Sequence, residues 1–123
     1  MQAERRAVAR YKSKLAVQVE IDDYSFDATS MEVSLLGLRI VCDGPLAKSL
    51  FSRYLQVTPG ANVTAKILIN IPNKDGSTDT LKCVTRVISV NRISQNSYVV
   101  GFNVIEFDDD KLHFWENYIS TQH

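Results

Sequence analysis

Apolar and polar residues alternate along most of this chain, which is the pattern of β-strands that bury one face. The alternation is most regular at 63–71, where every second residue is apolar. Gly, Pro, Asn and Asp residues fall between the alternating segments, as expected of turns. Many short strands at regular spacing indicate a closed barrel or a sandwich. The predicted strands are 11–21, 24–33, 38–43, 63–71, 81–93 and 98–107.

Two segments carry apolar residues three and four positions apart, the spacing of one helix face. The first is 46–55, where a short helix or helical turn is expected. The second follows the last strand. There Asp108, Asp109 and Asp110 are predicted to open a helix, because acidic residues suit the exposed N–H groups of a first turn. Trp115 lies on the apolar face of that helix and is expected to pack on one end or side of the barrel.

Length and composition narrow the class of protein. A chain of 123 residues with 45% apolar residues is expected to form one domain whose core needs neither disulfides nor a metal. The formal net charge is zero, which argues against a DNA- or RNA-binding protein held by bulk charge. The charge is uneven, however, because arginines and lysines crowd residues 5–14. Residues 1–10 are interpreted as a flexible arginine-rich arm, and residues 11–123 as the barrel with its C-terminal helix.

Several functional classes find no support in the sequence. Cys42 and Cys83 lie in apolar runs and are interpreted as buried thiols in a reducing compartment. His113 and His123 have no partner at a spacing typical of a catalytic triad or a metal site, so we expect neither an enzyme nor a bound metal or other cofactor. No apolar run approaches the roughly 18 residues of a membrane span. The charged start lacks the apolar segment of a secretory leader, so a cytoplasmic protein is expected.

The arginines near the start form the first candidate binding motif. Arg6 and Arg10 are four residues apart, and Arg5 precedes them. A guanidinium group donates to phosphate oxygens and to the Hoogsteen edge of guanine, and it stacks on flat rings. Two arginines at this spacing could therefore clamp a flat anionic ligand. Taken alone, the motif is better explained as a solvated basic arm.

The segment 32–37 forms the second candidate motif, at the junction of two predicted strands. Glu32 provides a carboxylate, which can accept from the N1–H and N2–H₂ edge of guanine. Ser34 provides a hydroxyl group, and Gly37 permits a backbone conformation or a close approach that other residues do not. Taken alone, this motif is better explained as an ordinary turn between strands.

In this order and on this strand pattern, the two motifs resemble the signature of the PilZ domain, an RxxxR arm followed by [D/N]xSxxG on an antiparallel barrel. The matching residues are Arg6 and Arg10, then Ser34 and Gly37, and segment 98–104 resembles the family's last barrel strand. PilZ domains are bacterial receptors for cyclic di-GMP. The resemblance implies a mainly β fold, a six-stranded antiparallel split barrel with a C-terminal α-helix, which binds the dinucleotide on its outer surface.

The resemblance also implies roles for individual residues. Arg6 and Arg10 would contact phosphates and guanine, and the turn that contains Ser34 would recognise a guanine. In some members an arginine just before RxxxR favours two stacked ligand molecules, and Arg5 holds that position here. The family's Asp or Asn is Glu32 in this chain. Its extra methylene could cost a hydrogen bond of about 1.5–3 kcal/mol, which would weaken binding about ten- to a hundredfold.

Two functions follow from this resemblance. In the first, cyclic di-GMP draws the arm onto the barrel, and a partner protein or an attached effector domain recognises the changed surface. In the second, the domain is a protein-interaction adaptor that does not bind the dinucleotide. The departure at Glu32 favours the adaptor, and the intact pair of Arg6 and Arg10 argues against it. A third class, a barrel for single-stranded nucleic acid, would need more basic strands than this chain has.

Overall fold

Seven strands and two helices form around one core in the computed structural model, which describes residues 8–21, 23–56 and 63–122, without the side chains of 51–56. Five of the six predicted strand regions are single strands, the first is divided in two, and the predicted helix at 46–55 is present. The strands are β1 (Arg10–Lys12), β2 (Ala16–Ile21), β3 (Tyr24–Ser34), β4 (Gly37–Cys42), β5 (Thr64–Pro72), β6 (Thr78–Ser94) and β7 (Ser97–Phe107). The helices are α1 (Gly44–Gln56) and α2 (Leu112–Ser120), and a short 3-10 turn, Asp108–Asp110, precedes α2.

Strands β2 to β7 close into a six-stranded antiparallel barrel, as the resemblance implied. Hydrogen-bonded neighbours follow the order β3-β2-β5-β6-β7-β4, and the pairing of β4 with β3 closes the ring. β1 is a short additional strand that pairs with the end of β3, with Arg10 opposite Ser34 and Lys12 opposite Glu32. This pairing places the first strand of the chain beside the turn that joins β3 to β4.

Apolar side chains from alternate strand positions fill the barrel, because successive residues of a strand point to opposite faces. Burial of this apolar surface is the main favourable contribution to folding. α1 packs against β6 and β7, and α2 contributes Trp115 and Ile119 to the same core. Trp115 is fully buried, which confirms its predicted role. The buried, inward-pointing residues of the predicted strand regions 11–21, 38–43 and 63–71 include Leu15, Val17, Val19, Ile21, Leu38, Ile40, Cys42, Ala65, Ile67, Ile69 and Ile71.

The single strand predicted at 11–21 is interrupted, and this is a correction to the sequence prediction. Residues 13–15 leave the ladder between β1 and β2. The buried hydroxyl of Ser30 on β3 accepts from the N–H of Leu15 at 2.8 Å and donates to the carbonyl of Ser13 at 2.5 Å. A side chain thus replaces a backbone partner, which the alternation of apolar residues does not reveal.

The prediction that the run of aspartates opens and caps the C-terminal helix is wrong. Asp109 and Asp110 have φ angles of 55° and 53°, in the left-handed region. α2 begins only at Leu112, with Lys111 at its N-cap position and no capping bond from a side chain. Asp is one of the few residues whose short polar side chain tolerates left-handed backbone. The acidic run therefore forms a tight turn between β7 and α2.

Candidate ligand-binding groove on the outer face of the barrel

A groove of about 310 Å³ lies on the outer face of the barrel, where β1, β3, β4, β7 and β6 are neighbours. Strand alternation determines which side chains reach it. Val33 points into the core, so Glu32 and Ser34 on either side of it point outward. Leu38 is likewise buried, and Arg39 next to it points outward. The groove therefore carries polar side chains above an apolar core.

Two glycines form part of the groove where a side chain would not fit. A Cβ atom on Gly37 would lie 1.9 Å from the carbonyl oxygen of Phe102, because β4 and β7 pack closely there. A Cβ atom on Gly101 would lie 2.6 Å from the Oγ of Ser89. The β6–β7 ladder shifts register opposite Gly101 and leaves Ile88 as an extra residue, which forms a β-bulge in β6.

Two guanidinium groups flank one carboxylate at the edge of the groove. The Nη1 atoms of Arg39 and Arg10 lie 3.8 and 3.9 Å from Oε1 of Glu32. The Arg10 side chain is 68% exposed, whereas that of Glu32 is 25% exposed. Oε1 of Glu32 is buried and has no hydrogen-bond partner among the described residues. Its capacity to accept a hydrogen bond is therefore unused, although two cations lie beside it.

The turn between β3 and β4 is held by Ser34. Its hydroxyl accepts from the N–H of Leu36 at 3.2 Å, and it lies 3.5 Å from the carbonyl of Gly37. Its backbone carbonyl accepts from the indole N–H of Trp115 at 3.0 Å. The hydroxyl of Tyr118 contacts the hydroxyl of Ser13, just after β1. α2 is thus hydrogen-bonded to the end of β3 beside the groove and to the segment that follows β1.

The structure brings together four of the six residues that the sequence singled out: Arg10, Glu32, Ser34 and Gly37 all line the groove. Arg5 and Arg6 lie outside the described residues. Arg10, the last residue of the predicted arm, is the first residue of β1. Sequence reasoning missed Arg39, whose signal was its position two residues after Gly37 on the outward face of a strand. It also missed the contributions of β6 and β7, namely Ile88, Ser89, Gly101 and Asn103.

Potential metal ligands and thiols show no reactive cluster in the described part of the chain. The described residues contain no group of three or more His, Cys, Asp and Glu side chains that could hold a metal ion. Burial raises the pKa of the Cys83 thiol to about 12 and that of the Cys42 thiol to about 11, and the carboxylates of Asp108 and Asp43 add to these shifts. Both thiols therefore remain protonated and poorly nucleophilic near neutral pH. No helix in the described ranges is long and apolar enough to cross a bilayer.

Comparisons with known proteins give a clear fold and little sequence similarity. No protein-family model and no curated protein matches the sequence. Among solved structures, the inhibitor of motility MotI/DgrA of Bacillus subtilis aligns with 95% of this chain at a TM-score of 0.70 and 14% identity. PlzA of Borreliella burgdorferi in complex with c-di-GMP aligns with 98% of this chain, at a TM-score of 0.64 and 9% identity. The PilZ domain of Escherichia coli YcgR with c-di-GMP aligns with 96% of this chain, at a TM-score of 0.63 and 12% identity.

The shares of these structures that the chain covers differ. It spans 50% of MotI/DgrA and 55% of PlzA, but 91% of the YcgR PilZ domain. The TM-scores show that the barrel and its C-terminal helix have the same fold as the YcgR PilZ domain.

Proposed function

We propose that this domain binds cyclic di-GMP in the groove. The observation that carries the proposal is the convergence, on one outer face of the barrel, of Arg10 with Glu32, Ser34 and Gly37, which lie more than twenty residues later in the sequence. Two proteins that share the fold are recorded with c-di-GMP bound. The groove combines guanidinium donors for phosphate oxygens with a carboxylate acceptor, the two chemistries that a guanine dinucleotide requires.

Each residue has a proposed part in binding. Arg10, together with Arg6 from the preceding segment, donates to the phosphates and to the Hoogsteen edge of guanine. The Glu32 carboxylate accepts from the N1–H and N2–H₂ groups of a guanine, and the turn that Ser34 stabilises receives that base. Gly37 keeps the surface open to it. Arg5 is proposed to favour a second, stacked ligand molecule.

The proposed output is a closure of the arm onto the barrel. Ligand phosphates would recruit Arg6 to the face where Arg10 already lies, and the segment before Arg10 would follow it. Ordering of the backbone costs about 1–2 kcal/mol per residue, so several charge-assisted hydrogen bonds must offset it. The altered surface would then be recognised by a partner protein or an attached domain. In this proposal the domain is a receptor rather than an enzyme.

Calorimetric titration with cyclic di-GMP tests the proposal. The parent is expected to bind, and Arg10→Ala and Arg6→Ala are each expected to weaken binding about ten- to a hundredfold, because each removes charge-assisted hydrogen bonds of about 1.5–3 kcal/mol. Lys48→Ala is the matched control, since it removes the same charge from an exposed position of α1 outside the groove. Equal affinities for the parent and both arginine variants would contradict the proposed site. A parent that gives no binding at saturating dinucleotide would instead favour the adaptor function.

A further inference from the structure

We infer that Arg39 is a specificity-determining residue of the groove, which positions the Glu32 carboxylate for the N–H donors of a guanine. The inference rests on the proposed function and extends it to a residue outside the RxxxR and turn motifs. Arg39 lies directly opposite Glu32 in the β3–β4 ladder. Outward side chains at directly opposed positions of an antiparallel pair are close enough to interact. The contact is thus set by strand register and not by a flexible loop.

The geometry of the pair keeps the carboxylate in place and leaves it available. Nη1 of Arg39 lies 3.8 Å from Oε1 of Glu32, close enough for charge attraction but too far for a hydrogen bond. The same oxygen is buried and has no hydrogen-bond partner in the described part of the chain. A ligand donor that takes the place of the exposed Arg10 side chain would therefore meet an unsatisfied acceptor whose position is already restricted by Arg39.

A second cation beside Glu32 also changes the charge that the groove presents. With Arg10 alone, one guanidinium and one carboxylate would neutralise each other, and a ligand phosphate would compete with Glu32 for Arg10. With Arg39 present, the trio of side chains carries one excess positive charge. Arg10, which is the more exposed of the two arginines, can then turn to a phosphate while Arg39 continues to balance Glu32. Lys12, the register neighbour of Glu32 on β1, forms no ion pair with it.

This arrangement gives a physical reason for the longer side chain at position 32. A glutamate carries its carboxylate one methylene further from β3 than an aspartate does, and it has one more rotatable bond. A fixed charge near its outer end restricts that extra freedom, because the attraction favours rotamers that keep Oε1 near Arg39. Arg39 is therefore a positioning residue, which acts on the ligand through Glu32.

The test compares cyclic di-GMP with cyclic di-AMP, which has the same phosphates but lacks the N1–H and N2–H₂ donors of guanine. Affinities for both are measured by calorimetry for the parent, Arg39→Gln, Glu32→Gln and the double variant. Arg39→Gln is expected to weaken cyclic di-GMP binding about tenfold, to change cyclic di-AMP binding little, and so to reduce the preference for guanine. In the Glu32→Gln background the same substitution is expected to have no further effect. Arg39→Lys keeps the charge and is expected to restore most of the preference.

Three results would overturn the inference. Unchanged affinity in Arg39→Gln shows that the residue has no part in binding. Equal weakening for both dinucleotides, or full weakening in the Glu32→Gln background, shows that Arg39 contacts a phosphate directly instead of acting through Glu32. A parent that binds neither dinucleotide rejects the proposed function itself, which distinguishes that failure from the first two. Thermal unfolding of each variant establishes that its barrel is intact.

Discussion

Gly37 is required by close packing between strands and not by an unusual backbone angle. Among the described glycines only Gly76, in the β5–β6 hairpin, has a positive φ. A Cβ atom at position 37 would lie 1.9 Å from a backbone carbonyl oxygen of β7, which cannot move without parting the two strands. The same close approach leaves the outer surface of β4 bare beside the turn. One glycine thus contributes both to the closure of the barrel and to the shape of the groove.

Gly37→Ala is therefore expected to destabilise the domain severely, by about 3 kcal/mol, since overpacking against backbone forces the strands apart. Urea unfolding monitored by Trp115 fluorescence measures the change. Gly44→Ala is the control, because a Cβ atom there meets nothing within 4 Å, and its stability is expected to be unchanged or slightly higher. A Gly37→Ala variant as stable as the parent would refute the steric explanation.

The two buried thiols make a prediction about pH. Burial raises the pKa of Cys42 and Cys83 from 9.0 to about 11 and about 12. The folded state therefore holds these protons at pH values where the unfolded state releases them, so stability must fall as the pH rises above about 9. Urea midpoints measured on both sides of pH 9 test this sign. A Cys83→Ser variant keeps the lysine and tyrosine titration, so its midpoint is expected to fall less with pH than that of the parent. An equal fall in both proteins would contradict the contribution of Cys83.

At the scale of elements, the interior pattern predicted most of the architecture. Alternate apolar residues mark each strand because a residue such as Val19 or Ile67 must be buried on one face. The points where the predicted strand and helix are interrupted depend on single polar residues, which the periodic pattern of apolar residues does not mark. Ser30 interrupts the first strand through its hydroxyl, and Asp109 turns the chain through a left-handed angle. Both residues occur in many other structural settings, so their local roles could not be assigned before the fold was known.

The docking of α2 depends on the indole group of Trp115. Trp115→Phe removes the hydrogen bond to the Ser34 carbonyl and leaves that acceptor without its partner, so a loss of about 2 kcal/mol in unfolding free energy is expected. Tyr118→Phe is the matched variant on the same helix. It removes the contact with Ser13 at a more exposed position, and a loss of under about 1 kcal/mol is expected. Guanidinium chloride unfolding measures both, and equal losses would show that the Trp115 bond has no special weight.

At the scale of the whole molecule, the candidate site is a product of barrel closure. Arg10 lies on β1, Glu32 and Ser34 lie at the end of β3, and Arg39 lies on β4. The resemblance to the PilZ signature placed the first three in one site, because their order along the chain matched a known pattern. Arg39 and the residues of β6 and β7 became visible only through strand register, which the motifs do not specify. Sequence alone therefore predicted the part of the groove near the β3–β4 turn, and not the part formed by Arg39 and by β6 and β7.

The groove gives the proposed function its most direct test, because glycine amides lie both within the groove and outside it. Cyclic di-GMP is titrated into isotope-labelled protein, and the amide signals of Gly37 and Gly101, which line the groove, are compared with those of Gly44 and Gly76, which do not. The proposal predicts that the first two shift in proportion to bound ligand while the second two remain in place. Signals that do not move at saturating ligand, or shifts confined to Gly44 and Gly76, would contradict it.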